Sequence, residues 1–191
     1  IRWIPLTADA QLDLGDLDRL LDGAKLVGLS SMSNVVGTIT PAEMITQRAH
    51  AAGALVCLDA SQSVPHMPTD VVELGVDFLV FRGHTMLGPS GIGVLWGKTE
   101  LLEEMPPFLG GGGMILNVTT EGFTPDAIPA KFEAGTPPIA EAVGLGAAID
   151  YLDAIGMDSV RRHEVELTGY ALRTLKERLG DDLIIHGPSE P

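Results

Sequence analysis

The stretch "DFLVFRGHTMLGPSGIGVLWG", residues 77–97, holds two apolar runs around a short glycine-rich turn. The first run, "DFLVF" (77–81), has the length and continuity of a strand buried on both faces. It leads into Arg82, Gly83, His84 and Thr85, then a Gly/Pro loop, and "IGVLWG" (92–97) follows as a second strand. The connection is too short for a crossover helix, so these two strands are expected to pair antiparallel.

Working outward, "KLVGLSSM" (25–32) and "ALVCLDA" (54–60) are apolar runs of the same kind. Between them, "TPAEMITQRAHAAG" (40–53) reads as a helix. It offers a Thr cap, Pro at the first helical position, Glu in the first turn and a closing Gly. "DVVELG" (70–75) reads as a shorter helix. Strand alternating with helix predicts an α/β fold, a mostly parallel sheet flanked by helices with right-handed crossovers. "IRWIPLT" (1–7) reads as a strand, and the Pro/Gly-rich stretch 101–130 as a long ordered loop. Residues 139–156 and 158–180 read as two helices, each stopped by glycine, and "DDLIIHG" (181–187) as the start of a strand. A boundary near residue 156 is expected, with 1–156 in a larger domain and 157–191 a linking helix and the start of a smaller one. Strand-like runs at both ends read as a chain cut from something longer.

Composition narrows the function. The balance of 26 acidic against 12 basic residues gives a net charge of −14, which argues against nucleic acid or an anionic membrane surface as partner. No apolar run reaches the ~18–20 residues that span a bilayer. A single cysteine forms no internal disulfide, so a reducing, cytoplasmic setting is expected.

Candidate chemistry gathers at strand ends. Asp59 closes "ALVCLD" and should stand at the carboxyl end of a parallel strand, where open α/β sheets bind ligands. It reads as a turn or cap residue, or as a carboxylate that holds a protonated ring nitrogen. Gln62 follows three residues later. His84 ends the neighbouring strand at the same edge, as a structural residue or a ligand contact. Cys57 lies mid-strand and reads as a small core hydrophobe. "GKT" (97–99) is not a phosphate loop, because the required glycine five residues earlier is Ile92. "GGGG" (110–113) reads as a turn that approaches another backbone closely. The histidines and the one cysteine show no metal-ligand spacing.

The segments "SMSNVVGTITP" (31–41), "CLDASQSVPHMPTDVVELGVDFLVFRGHTMLGPSGIGVLWG" (57–97), "GGGGMI" (110–115) and "KFEAGTPPIAEAVGLGAAIDYL" (131–152) together resemble class V aminotransferase-fold enzymes. The resemblance is to their SUF-type cysteine desulfurases and the related selenocysteine lyases, and it runs over essentially the whole chain. It implies the fold type I architecture of pyridoxal 5′-phosphate (PLP) enzymes and a homodimer. It also implies conversion of L-cysteine to L-alanine, with a persulfide passed to an acceptor protein for iron–sulfur cluster assembly. Family members hold PLP as a Schiff base on a lysine. By the same resemblance Asp59 matches the aspartate at the pyridinium nitrogen, while Gln62 falls where a glutamine lies near the ring hydroxyl. His84 corresponds to the histidine beside the lysine, near the phosphate. Asn34 matches an asparagine of the cofactor and substrate pocket, and Thr136 a threonine that reaches the partner subunit's phosphate. The family's sulfur-accepting cysteine would lie beyond Pro191 and its ring-stacking histidine before Ile1.

The turn departs from the pattern. Where relatives read Ser-Gly-His-Lys, this chain reads Arg82-Gly83-His84-Thr85. A hydroxyl forms no imine and cannot shuttle protons as an amine does. Lys25, Lys98, Lys131 and Lys176 do not fall at the matching position. Arg82 either pairs with a phosphate dianion or overfills a space meant for a small hydroxyl, and overfilling is the expectation. The chain is therefore expected to be inactive itself. The alternatives are a catalytically dead scaffold that keeps the fold, or a selenocysteine lyase-type protein.

Overall fold

The computed structural model describes residues 1–190. A short helix α1 (Leu17–Leu21) precedes strand β1 (Leu26–Ser30). Helix α2 (Ala42–Ala51) leads to β2 (Leu55–Asp59), and the one-turn α3 (Val71–Leu74) to β3 (Phe78–Arg82). Strand β4 (Gly93–Gly97) and helix α4 (Thr99–Glu104) come next. A hairpin of β5 (Ile115–Val118) and β6 (Phe123–Pro125) precedes the long helices α5 (Ile139–Ile155) and α6 (Met157–Leu179).

The main sheet has the order β1-β2-β3-β4. The first three strands are parallel, and β4 pairs antiparallel with β3, with Leu79 opposite Trp96. This is the α/β arrangement read from the sequence. Helix α2 buries Ala42, Ile45, Thr46 and Ala49, the spacing of one helical face. Ala42, Ile45 and Ala49 join Leu17, Leu21, Val27, Leu29, Val56, Leu58 and Leu79 in the main core. A second cluster of Met86, Leu145 and Leu152 holds the turn after β3 against α5.

Several expectations fail for identifiable reasons. The strands are not buried on both faces. Val27, Leu29, Val56 and Leu58 face the core, whereas Leu26 is 59% exposed and Leu55 lies at the surface. The core built with α1 and α2 covers one face of β1 and β2 only. Residues 1–7 form no strand, only an isolated bridge between Leu6 and Leu12, because the segment folds back on itself at Thr7. Residues 181–187 form no strand either, and follow a 3₁₀ turn at Gly180–Asp182 as irregular chain. The stretch 101–130 is not a plain loop. Its strands are short and exposed, so neither gives an alternating pattern. Thr40 does not cap α2; its hydroxyl donates to the Ser30 carbonyl at 2.6 Å.

Two details fix how separate segments meet. Gly111 lies so close to Ala134 and Gly135 that a Cβ would sit 3.3 Å from both, and Gly135 N–H donates to the Gly112 carbonyl at 2.8 Å. The glycine run is thus the close backbone approach expected of it. At the other end, Asp77 is 3% exposed just before β3. Its carboxylate accepts from Lys98 Nζ at 2.6 Å and Val56 N–H at 2.7 Å, and it pairs with His50 Nε2 at 2.7 Å.

Burial, the largest influence on Asp77, pushes its pKa up. The bonds from Lys98, His50 and the Val56 N–H together outweigh it and hold the carboxyl below its ordinary value. The folded state therefore binds this proton less readily than the unfolded chain. The stabilisation is complete above the unfolded carboxylate's pKa, and it is lost as pH falls through the lower folded value. Asp77→Asn should cost about 3 kcal/mol at neutral pH. Denaturant melts of both proteins should show that gap narrowing in acid. A gap that is constant from neutral to acid pH would contradict the assignment.

Candidate active site

The carboxyl edge of the parallel strands carries most of the residues singled out from sequence. Asp59 ends β2 and is level with Val80 of β3, so Ser61 and Arg82 each stand two residues past that pair. The Asp59 carboxylate accepts the Ser61 N–H at 2.9 Å, and the Ser61 hydroxyl accepts Arg82 Nε–H at 3.2 Å. After Arg82 the chain enters a 3₁₀ turn over Gly83–Met86. Gly83 is obligatory there, since a Cβ would meet Ile92 Cγ2 at 2.7 Å and the Pro89 carbonyl at 2.9 Å. Leu87 closes the turn with φ +64°, a left-handed conformation that costs a leucine of order 1 kcal/mol.

Within that turn the Thr85 hydroxyl donates to the Arg82 carbonyl at 2.9 Å. Asp59, Ser61, Arg82 and Thr85 thus form one chain of hydrogen bonds across two strand ends. His84 and Thr136 are exposed, and neither side chain makes a hydrogen bond among the described residues. Asn34 and Gln62 line a cleft of about 650 Å³ with His66, Arg161, Glu164 and Thr168. That cleft is bridged by His66 Nδ1 and Glu164 Oε1 at 2.6 Å, which ties α6 to the segment after β2. Below the edge, the Ser31 hydroxyl donates to the Asp59 carbonyl at 3.0 Å and bonds the Ser63 hydroxyl at 2.7 Å.

Sequence reading missed Ser61, whose position two residues after Asp59 was the available signal for an aspartate-capped turn. It also missed the His66–Glu164 pair, whose members are 98 residues apart with no local pattern to join them.

Residues 1–188 match the aminotransferase class-V family. The chain belongs to that family. Within it, the chain groups with the cysteine desulfurases. It is 55% identical to a probable cysteine desulfurase of Streptomyces coelicolor over 99% of this chain and 45% of that protein. It is 46% identical to the cysteine desulfurase of Haloferax volcanii over 98% of this chain and 44% of that protein. The apo structure of a cysteine desulfurase from Thermococcus onnurineus superposes with a TM-score of 0.91 at 37% identity, covering 98% of this chain and 46% of that one. The chain thus spans about half the length of the curated relatives it matches.

The class-V family is PLP-dependent, and the donor set tests how far that cofactor fits. One Asp59 oxygen carries the Ser61 N–H and the carboxylate is exposed, which suits a protonated ring nitrogen. No amine stands in the turn. Lys98 is committed to Asp77 at the opposite end of β3, about 17 Å away by strand rise. Lys131 is buried with its Nζ on the Glu103 carbonyl at 2.9 Å. The residues fit PLP as a non-covalent ligand and do not fit it as a covalently fixed one.

Cys57 is half-buried beside this edge. Burial, and then the negative charge of Asp59, push its thiol above the ordinary range. The thiol should therefore be protonated at neutral pH. Its reaction with a thiol-exchange dye should be slow there and accelerate only above the free-cysteine pKa of about 8.5. Asp59→Asn should move that profile to lower pH. A folded thiol that reacts at pH 7 as fast as the unfolded chain would refute this.

Proposed function

We propose that this chain carries the cofactor half of a PLP-dependent cysteine desulfurase fold, and that it does not itself perform the reaction. The observation that carries the reading is Thr85. It occupies the position of the family lysine, and its hydroxyl is already spent on the Arg82 carbonyl. The family reaction converts L-cysteine and a protein thiol into L-alanine and a persulfide on that thiol, the sulfur then serving iron–sulfur cluster assembly. Cys57, half-buried and with its thiol pushed up by burial and then by the Asp59 charge, is unsuited to accept that sulfur.

In this reading Asp59 holds the pyridinium nitrogen and keeps it protonated, Gln62 faces the ring hydroxyl, and His84 lies by the phosphate. Asn34 faces the substrate side. Thr136, on the segment braced by the glycine run, reaches toward a second subunit of a homodimer. When bound, PLP would supply an electron sink for chemistry at the substrate's Cα. Residues 1–156 belong to the large domain of the parent fold, with Gly156, at φ +83°, between α5 and the linking helix α6. Pro191 lies outside the described residues.

Without an amine at position 85, both the covalent anchor and the proton carrier are missing. Proton transfer alone contributes roughly 10²- to 10⁴-fold. With PLP and L-cysteine, the wild-type chain should release no sulfide above a protein-free control. After borohydride reduction in the presence of PLP, its tryptic peptide 83–98 should carry no pyridoxyl mass. Thr85→Lys should add that mass to the same turn. A pyridoxyl adduct within 83–98 of the wild type, or sulfide release by it, would overturn the proposal.

A further inference from the structure

Arg82 is the second departure from the family turn, and its surroundings give it a role. It ends β3 at the ligand-binding edge of the sheet, level with Ser61. Ser61 is only 3% exposed, and its backbone is fixed by the Asp59 carboxylate. Its hydroxyl takes the Arg82 Nε–H at 3.2 Å. That bond leaves the two terminal nitrogens of the guanidinium without a protein partner among the described residues, on a side chain that is exposed. The chain carries a net charge of −14, yet Arg82 makes no ion pair among the described residues.

A guanidinium pinned at Nε presents the rest of its fork in one orientation. Its entropy loss is already met before a ligand arrives, and the planar pair of N–H donors matches two oxygens of a phosphate. We infer that Arg82, braced by Ser61, is the phosphate-recognising residue of this site and makes its ligand binding phosphate-dependent and non-covalent. The inference rests on the proposed cofactor reading and adds the residue that selects the phosphorylated ligand. It reverses the sequence-based expectation that Arg82 overfills the site, because the structure draws the side chain onto Ser61 and leaves it exposed.

The test is equilibrium binding of pyridoxine 5′-phosphate and of pyridoxine. Neither has an aldehyde, so adducts on surface lysines cannot confuse the result. Titration calorimetry on the wild type should show the phosphate ester binding at least about tenfold more tightly, the range of hydrogen bonds to a charged group. Arg82→Ser should bring the ratio close to one without weakening pyridoxine binding. Arg82→Lys, which keeps charge but loses the fork, should recover only part of it. Ser61→Ala, which frees the guanidinium but retains it, should fall between wild type and Arg82→Ser. Circular dichroism melts on each variant confirm that the fold is kept. Undiminished or tighter binding of the phosphate ester by Arg82→Ser overturns the inference and leaves the cofactor reading intact. Absence of binding of either compound to both wild type and Arg82→Ser overturns both.

Discussion

A buried carboxylate, Asp77, sets the geometry from which the rest of the sheet is built. It receives the first N–H of the β2 core, a histidine from the end of α2 and a lysine from the far end of β4. Two consecutive elements, α2 and β2, and the later β4 are therefore registered at one point, the entry to β3. An isolated buried carboxylate is costly, so the arrangement holds only while all three donors are in place. Strand β3 then leaves this anchor with its register against β2 and β4 fixed. Every residue at its other end, from Arg82 to Leu87, inherits its position from that start.

The two ends of β3 divide the work. The Asp77 end consumes its cation, Lys98, in holding the sheet together, so that lysine is unavailable for chemistry. The opposite end keeps its charged groups unconsumed. Asp59 uses one oxygen to hold Ser61, Ser61 uses its hydroxyl to hold Arg82, and the exposed portions of both charged groups face outward. Anchoring on one side and availability on the other is what a parallel sheet provides, since its carboxyl edge is where loops diverge and a ligand can enter.

How much of this the sequence disclosed depends on the range of the interaction. The order of β1, α2, β2, α3, β3 and β4 was legible because each element announces itself within a dozen residues, through apolar continuity or glycine and proline punctuation. Asp59 and His84 were legible as edge residues for the same reason. The exposed faces of Leu26 and Leu55 were not, because an apolar run does not say what covers it. The β5–β6 hairpin escaped because its strands are too short and too exposed to show a period. The Asp77 cluster and the His66–Glu164 bridge escaped because their partners come together only in the folded chain.

The turn after β3 takes its form from packing and not from the side chain at position 85. Gly83 is fixed by Ile92 and Pro89, Met86 by the core cluster on α5, and Leu87 by its left-handed backbone. None of these constraints involves the side chain at position 85. Thr85 adds a local hydrogen bond to the Arg82 carbonyl, closing the turn upon itself. The shape of the turn therefore depends on packing and on glycine. The side chain at position 85 can thus change in chemistry while the turn keeps its shape.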